Sequence, residues 1–216
     1  MAEPLSVLRA LEEKVDPAHT AVIVIDMQKD FTLPGGYADQ LGLDVHAIGE
    51  MAERLAGFLE RARRHRVPIY HVMANYDAEY MSEPMHERLL RHGQSLYCQS
   101  GTWGSEFHPG LEPRRGESVV VKHRYDAFHD TDLHILLQAR RVRTVIMCGV
   151  TAHACVDSSA RHAYFLGYYT VFTADLTGGA PSPEAHRMTL ASMDALFGVT
   201  PTAQEIVAAW QRRSSS

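Results

Sequence analysis

The sequence predicts an α/β fold, a doubly wound and mostly parallel sheet with helices on both faces. Three observations carry that reading. Short continuous apolar runs with β-branched members recur at Ala21–Ile25, Ser118–Lys122 and Thr144–Gly149, as expected of strands buried on both faces. These runs alternate with stretches of helical periodicity, which calls for parallel pairing and right-handed crossovers. The runs also lead into reactive side chains: Asp26, Lys122 and, a short turn beyond the third run, Cys155. Parallel strands set their carboxyl ends along one edge, where ligands collect in folds of this class.

Taken in order, the start MAEPLSVLRALEEKVD carries acids through its apolar pattern and lacks a signal-peptide core, so residues 1–18 read as a surface helix or arm. Ala21–Ile25 is the first strand. Thr32-Leu-Pro-Gly-Gly-Tyr37 is a breaker cluster and must be a loop. Val45 to Arg66 has helical spacing through Ile48, Met51, Leu55, Phe58, Leu59 and Ala62, and its basic end suits a helix C-terminus. Pro68–Met73 is the second strand. Ala74 to Gly116 is polar and rich in aromatics and histidine, with a helix over Glu83–Arg91 and a loop around Gly101-Thr-Trp-Gly104. Irregular stretches of that length are commonly functional or disordered. Ser118–Lys122 is the third strand, and Asp132–Arg140 a helix. Thr144–Gly149 is the fourth strand, with a helix starting near Ala154. Tyr168–Phe172 is the fifth strand, ending near Asp175. Pro183–Phe197 is a helix, Val199 a short strand, Thr202–Trp210 a closing helix, and residues 211–216 (QRRSSS) a frayed tail. No repeat or composition break divides residues 1–216, which read as one domain.

Composition narrows the function. A net charge of −5 gives no electrostatic case for nucleic acid or an anionic membrane. No stretch has the apolar length of a membrane span. Three cysteines, Cys98, Cys148 and Cys155, show neither CxxC nor His-ligand spacing. An odd count of this kind suggests free thiols and a reducing, cytoplasmic setting. The thirteen histidines are scattered and form no HExxH-type pair.

The segment Val142–Ser158, VRTVIMCGVTAHACVDS, is the one around which the chain is organised. A cysteine in a helix's first turn faces unpaired N–H groups and the positive end of the macrodipole, both of which favour the thiolate. A core cysteine is the commonest fate of a free thiol. Asp26 also reads as a strand-end turn carboxylate, and Lys122 as a solvated strand exit. An acid, a cation and a thiol at matching strand ends are nonetheless what thiol catalysis needs. The carboxylate takes the S–H proton, the ammonium holds the thiolate, and the proton goes on to the leaving group.

Asp26-Met-Gln-Lys-Asp-Phe31 with Gly35-Gly36, Lys122 after a valine run, and Gly149-Val-Thr-Ala-His-Ala-Cys-Val156 together resemble the isochorismatase-like cysteine hydrolase superfamily, over about Ala21 to Gly198. The resemblance implies a Rossmann-like three-layer α/β fold and a triad of Asp26, Lys122 and Cys155. It implies a cis peptide between Val150 and Thr151, with backbone N–H groups around Val150, Thr151 and Cys155 forming an oxyanion hole. It also implies a homodimer or homotetramer. The segment Tyr164-Phe-Leu-Gly-Tyr-Tyr169 adds a physical reason for assembly, since one strand hides only some of those rings.

Branches of the superfamily differ at a few positions. Isochorismatases proper typically carry glycine where Cys155 stands, so the thiol favours C–N hydrolysis through an acyl-enzyme. Nicotinamidases carry a zinc-binding Asp-x-His after the second strand, whereas here Asn75-Tyr-Asp-Ala-Glu79 lacks the histidine. The reading therefore includes no metal and no other cofactor, with His71 and His86 the histidines in that neighbourhood. Pro34–Asp39, Leu41–Val45, Tyr76–Tyr80 and Lys122-His-Arg-Tyr125 look like ureidoacrylate amidohydrolases, with N-carbamoylsarcosine amidase and biuret hydrolase nearby. Tyr76 stands where a tryptophan is expected, Asn75 is displaced, and His153 replaces an acidic or amide residue. Phe31, Tyr37, Asn75, Tyr76, Trp103, Tyr125 and His129 are the candidate substrate contacts, each also a plausible packing residue. The expected activity is cysteine-dependent hydrolysis of a small ureide or amide. A nicotinamidase- or isochorismatase-type hydrolase, or an idle binding module that kept the fold, are the alternatives.

Overall fold

Residues 7–214 are described in the structure, a computed structural model. A short helix α1 (Leu11–Lys14) and a 3-10 turn lead into β1 (Thr20–Ile25). Two one-turn helices, α2 (Lys29–Thr32) and α3 (Tyr37–Gln40), precede the long α4 (Val45–Arg64) and β2 (Ile69–Ala74). Then come α5 (Glu83–Arg91), β3 (Ser118–Lys122), α6 (Leu133–Ala139) and β4 (Thr144–Val150). A π turn (Ala152–Val156) leads directly into α7 (Asp157–Phe165), followed by β5 (Tyr169–Gly178), α8 (Pro183–Leu196), β6 (Gly198–Val199) and α9 (Ala203–Ser214).

The six strands pair in parallel in the order β3-β2-β1-β4-β5-β6. The order reverses between β1 and β4, which opens the crevice where such sheets bind ligands. Every residue of β1 and β4 is buried, because helices cover both faces. Successive side chains point to opposite faces. Val22, Val24, Ile146 and Cys148 pack with Leu55 and Phe58 of α4 and Trp210 of α9. Ala21, Ile23, Ile25 and Met147 pack with Leu137 of α6, Ala160 of α7 and Met193 of α8.

Strand and helix bounds agree with the sequence expectation to within about two residues at most ends, with two exceptions. β5 runs on to Gly178, beyond the expected end near Asp175, because the pairing shifts at Met147/Gly149 and resumes at Gly149–Thr177. A polar stretch through Thr173 and Asp175 hides that continuation from an apolar-run reading. The tail is the second correction. Residues 211–214 are the last turn of α9 rather than frayed chain, and Arg212 pairs with Glu12 at 2.5 Å. The indole Nε1 of Trp210 donates to the Val15 carbonyl at 2.7 Å, fastening α9 to the N-terminal segment. Residues 1–6 of the expected N-terminal arm, and 215–216 of the tail, lie outside the described residues. Among the described residues no helix is long and apolar enough to cross a membrane.

Candidate active site

β1 ends at Ile25, and Asp26 follows with φ 53°, in the left-handed region that aspartate tolerates better than most side chains. Its N–H still donates to Val72 O at 2.9 Å, so the carboxylate is held at the strand end. On the neighbouring strand Gly149 has φ 110°, and a Cβ there would lie 2.1 Å from Ile25 O. Only glycine lets β4 approach β1 this closely at the switch point. β2 carries β3 outward, and its register pairs Ala74 with Lys122. Ile25 pairs with Val72 on the same strand, so Lys122 stands two rungs beyond the end of β1 and reaches back toward Asp26.

The result is an ion pair sealed from water. Lys122 Nζ lies 2.8 Å from Asp26 Oδ2, with both side chains 0% exposed. The ammonium also donates to Arg124 O at 3.0 Å and Tyr76 Oη at 3.3 Å. Besides the ammonium, the Asp26 carboxylate faces the Cys155 thiol and the Ala74 N–H. Burial raises the Asp26 carboxyl above its ordinary value, against the pull of Lys122. Burial also disfavours the Lys122 ammonium, but Asp26 and the Cys155 sulfur outweigh it, so the lysine pKa is raised.

Cys155 interacts with both charges, and here one expectation is corrected. The residue does not sit in the first turn of an α-helix. It occupies the π turn, and α7 begins only at Asp157. Thr151 O accepts from both Ala154 N and Val156 N. Burial pushes the Cys155 thiol up to about 12, with Lys122 opposing the shift. Burial thus favours the protonated thiol over the pre-formed thiolate expected from a helix terminus. Desolvation outweighs the dipole here. The peptide between Val150 and Thr151 is cis.

Cys155 lines a cavity of about 490 Å³ together with Phe31, Tyr37, Tyr76, Tyr97 and Tyr125. Asp30 organises this aromatic wall. Its carboxylate accepts from Cys98 N at 2.7 Å and Tyr37 N at 3.3 Å, and the Tyr37 and Tyr97 rings stack at 3.7 Å. A Cβ on Gly104 would lie 2.2 Å from the Asp30 carboxylate, so the loop closes over Asp30 only with glycine there. Gln28 ties the same loops to the sheet. Its amide donates to Ala74 O and Ser105 O, each at 3.0 Å, and accepts from Ala74 N at 2.7 Å.

Residues 20–205 match the isochorismatase domain family. The chain belongs to the isochorismatase family. It is 31% identical to the ureidoacrylate amidohydrolase RutB of Methylobacterium radiotolerans over 197 residues, covering 85% of this chain and 76% of that protein. The isochorismatase family protein from Desulfovibrio vulgaris superposes with a TM-score of 0.76 at 28% identity, over 92% of this chain and 99% of the other. A cysteine hydrolase from Pseudomonas syringae shares the fold, with a TM-score of 0.82 at 24% identity, over 98% and 99% of the two chains.

Within this isochorismatase fold the expected contacts divide. Phe31, Tyr37, Tyr76 and Tyr125 line the cavity; Asn75, Trp103 and His129 do not. Asn75 spends its side chain on the loop, donating to Ser100 Oγ and accepting from Asp77 N, each at 2.9 Å. Trp103 is 47% exposed, with Lys29 over its ring. His129 faces solvent and pairs with Asp130 at 3.2 Å. Val150 packs its side chain in the core. His71 is buried in β2, where Nε2 meets Glu117 at 2.9 Å, and His86 is exposed on α5. Among the described residues no three His, Cys, Asp or Glu side chains group as metal ligands. Sequence reading missed Tyr97, Arg88, Leu41 and Leu43 as cavity residues. Tyr97 lies in an aperiodic loop that no pattern places. Gln28 was within reach, standing two residues from Asp26 in the same motif.

Proposed function

We propose that the chain is a cysteine-dependent amidohydrolase that cleaves a C–N bond of a small ureide or amide. The observation that carries the reading is the wholly buried Asp26–Lys122 pair acting on Cys155 at an aromatic cavity. The likeness to ureidoacrylate amidohydrolases supports the same chemistry. Asp26, its carboxyl raised by burial, takes the thiol proton as sulfur attacks the carbonyl carbon, and Lys122 holds the thiolate charge. N–H groups of Thr151 and Cys155, at the turn after Val150, hold the oxyanion. The C–N bond breaks, Asp26 returns its proton to the leaving nitrogen, and ammonia departs. Water, deprotonated by Asp26, then adds to the thioester; the C–S bond breaks and the thiol is restored. No step uses a metal or another cofactor.

Ammonia release from a panel of ureas and primary amides tests this reading, with and without prolonged phenanthroline treatment. Turnover should appear for at least one ureide and survive the chelator. Activity lost with stoichiometric zinc or iron would replace the reading by a metal-assisted, nicotinamidase-type hydrolase. Cleavage of an enol ether but of no amide would replace it by isochorismatase-type chemistry.

The active form we propose is a homodimer or homotetramer. Tyr168 of the aromatic segment is buried, but Tyr164 is 48% and Phe165 71% exposed. Both rings meet Phe197 edge-on, and the neighbouring Leu196 at the end of α8 is exposed as well. Light scattering at micromolar concentration should give a multiple of 24.1 kDa. A fully active monomer would end this part of the proposal.

A further inference from the structure

The Lys122 ammonium meets more acceptors than it has protons to give. It lies 2.8 Å from Asp26 Oδ2 and donates to Arg124 O at 3.0 Å and to Tyr76 Oη at 3.3 Å. The Cys155 sulfur faces it as well: burial lowers the lysine pKa, and Asp26 and that sulfur together outweigh it. Three oxygens and one sulfur thus compete for three N–H bonds. A thiolate on Cys155 must draw one of those bonds away from an oxygen.

Tyr76 holds the weakest claim. The contact with Asp26 is the shortest and joins two ionisable groups, and Arg124 O is fixed in the backbone. The bond to Tyr76 is the longest, and its acceptor is a hydroxyl that burial keeps neutral by raising its pKa. That hydroxyl also reaches a second partner, since Oη donates to Arg124 O at 3.5 Å. The ring itself is fixed. Tyr76 is 1% exposed, its ring meets Tyr97 edge-on at 4.9 Å, and its N–H donates to Cys98 O at 3.2 Å. Nζ lies 5.6 Å from the ring centre, a contact that phenylalanine would keep. Tyr97 and Cys98, which also feel the sulfur's charge, are kept neutral by burial. Arg88 and His153 line the same cavity, but among the described residues neither hydrogen-bonds to Lys122 or Tyr76.

We infer that the Tyr76 hydroxyl is a placeholder for the thiolate, holding one ammonium N–H in the resting site and yielding it to Cys155 as the sulfur loses its proton. The inference rests on the proposed mechanism for the role of Cys155. As Asp26 takes the thiol proton, the N–H swings from the Tyr76 oxygen to sulfur. When the thioester forms and sulfur is neutral again, it swings back. No covalent bond of Lys122 or Tyr76 changes. Because the hydroxyl competes with sulfur for the same N–H, it sets how readily the thiol ionises. The tryptophan expected at this position on the family resemblance could not play that part, because an indole N–H only donates. Tyr76 is accordingly a positioning residue that acts through Lys122.

Iodoacetamide tests this, with the label on Cys155 followed by peptide mass spectrometry across a range of pH. Below the thiol pKa the alkylation rate follows the thiolate fraction. Tyr76→Phe should raise that rate about threefold or more at each pH around neutrality, the scale of one hydrogen bond to a charged group. Tyr97→Phe removes a hydroxyl from the same wall and should leave the rate at the parent value. In the Asp26→Asn/Lys122→Met protein, with no ammonium to release, adding Tyr76→Phe should change nothing, which separates acidity from access. A rate unchanged or lowered by Tyr76→Phe, an equal rise in Tyr97→Phe, a rise that persists without Lys122, or no label on Cys155 at any pH would each overturn the inference. The expected pattern without ammonia release from any compound of the panel would uphold the role of Tyr76 while removing the hydrolase reading.

Discussion

Cys155→Ser is expected to abolish ammonia release, by about 10⁴-fold or more, with the fold unchanged. Removing a nucleophile that works as a unit with its base costs losses of that order or larger. Serine keeps the size and hydrogen-bonding capacity of the side chain, so circular dichroism and melting temperature should stay close to the parent. The hydroxyl is a far weaker acid than a thiol, and the site already disfavours the anion. Burial pushes even the thiol up to about 12. In the proposed mechanism Asp26 takes a proton from sulfur during attack, and a serine oxygen gives its proton up far less readily. Alkylation supplies the matching chemical test. Cys155 is 5% exposed and opens on the cavity, whereas Cys98 and Cys148 are each 0% exposed. Iodoacetamide should therefore modify Cys155 first, by access rather than by acidity. Label on Cys148 with Cys155→Ser still active would remove Cys155 from the chemistry.

Lys122→Met should inactivate the protein and destabilise it by about 3–5 kcal/mol, the cost of stripping one partner from a buried ion pair. For a chain of this length that is a fall in Tm of roughly 10 °C. Methionine fills the lysine's space but leaves the Asp26 carboxyl dry and without its counter-charge. The carboxyl is raised by burial even with the ammonium beside it, and without the ammonium it should rise further. A protonated Asp26 cannot take the thiol proton, so the base and the charge that holds the thiolate are lost together. Stability in this variant should depend on pH in a definite direction. An acid whose folded pKa lies above its unfolded value binds protons preferentially when folded. The deficit should therefore shrink as pH falls through the raised Asp26 value toward the ordinary 3.8. The double variant Asp26→Asn/Lys122→Met, with no charge left to bury, should regain more than half of the lost stability and stay inactive. A single Lys122→Met variant as stable as the parent would show that the two charges are not coupled.

Sequence by itself determined the layering of this protein. The runs at Ala21–Ile25 and Thr144–Gly149 are apolar on both alternating faces, so they had to be central strands, and the helical stretches between them had to cover both sides. Asp26 and Lys122 were legible as strand ends for the same reason: a charge can follow such a run only where the strand leaves the core. Tertiary structure decided what those ends become. Lys122 reads as a solvated exit until the register of β3 on β2 carries it past the end of β1 and seals it against Asp26. The acidity of Cys155 was likewise a matter of burial, which a local reading of the turn cannot weigh against a helix dipole. Trp103 and His129 are aromatics in loops, and so is Tyr97. Side-chain type in an aperiodic segment carries no direction, and only the Asp30 hydrogen bonds and the glycine at 104 turn Tyr97 inward while the other two face water. Local periodicity fixes which face of an element is buried; it has no information on how loops separated by dozens of residues meet, and the cavity wall is made of those loops.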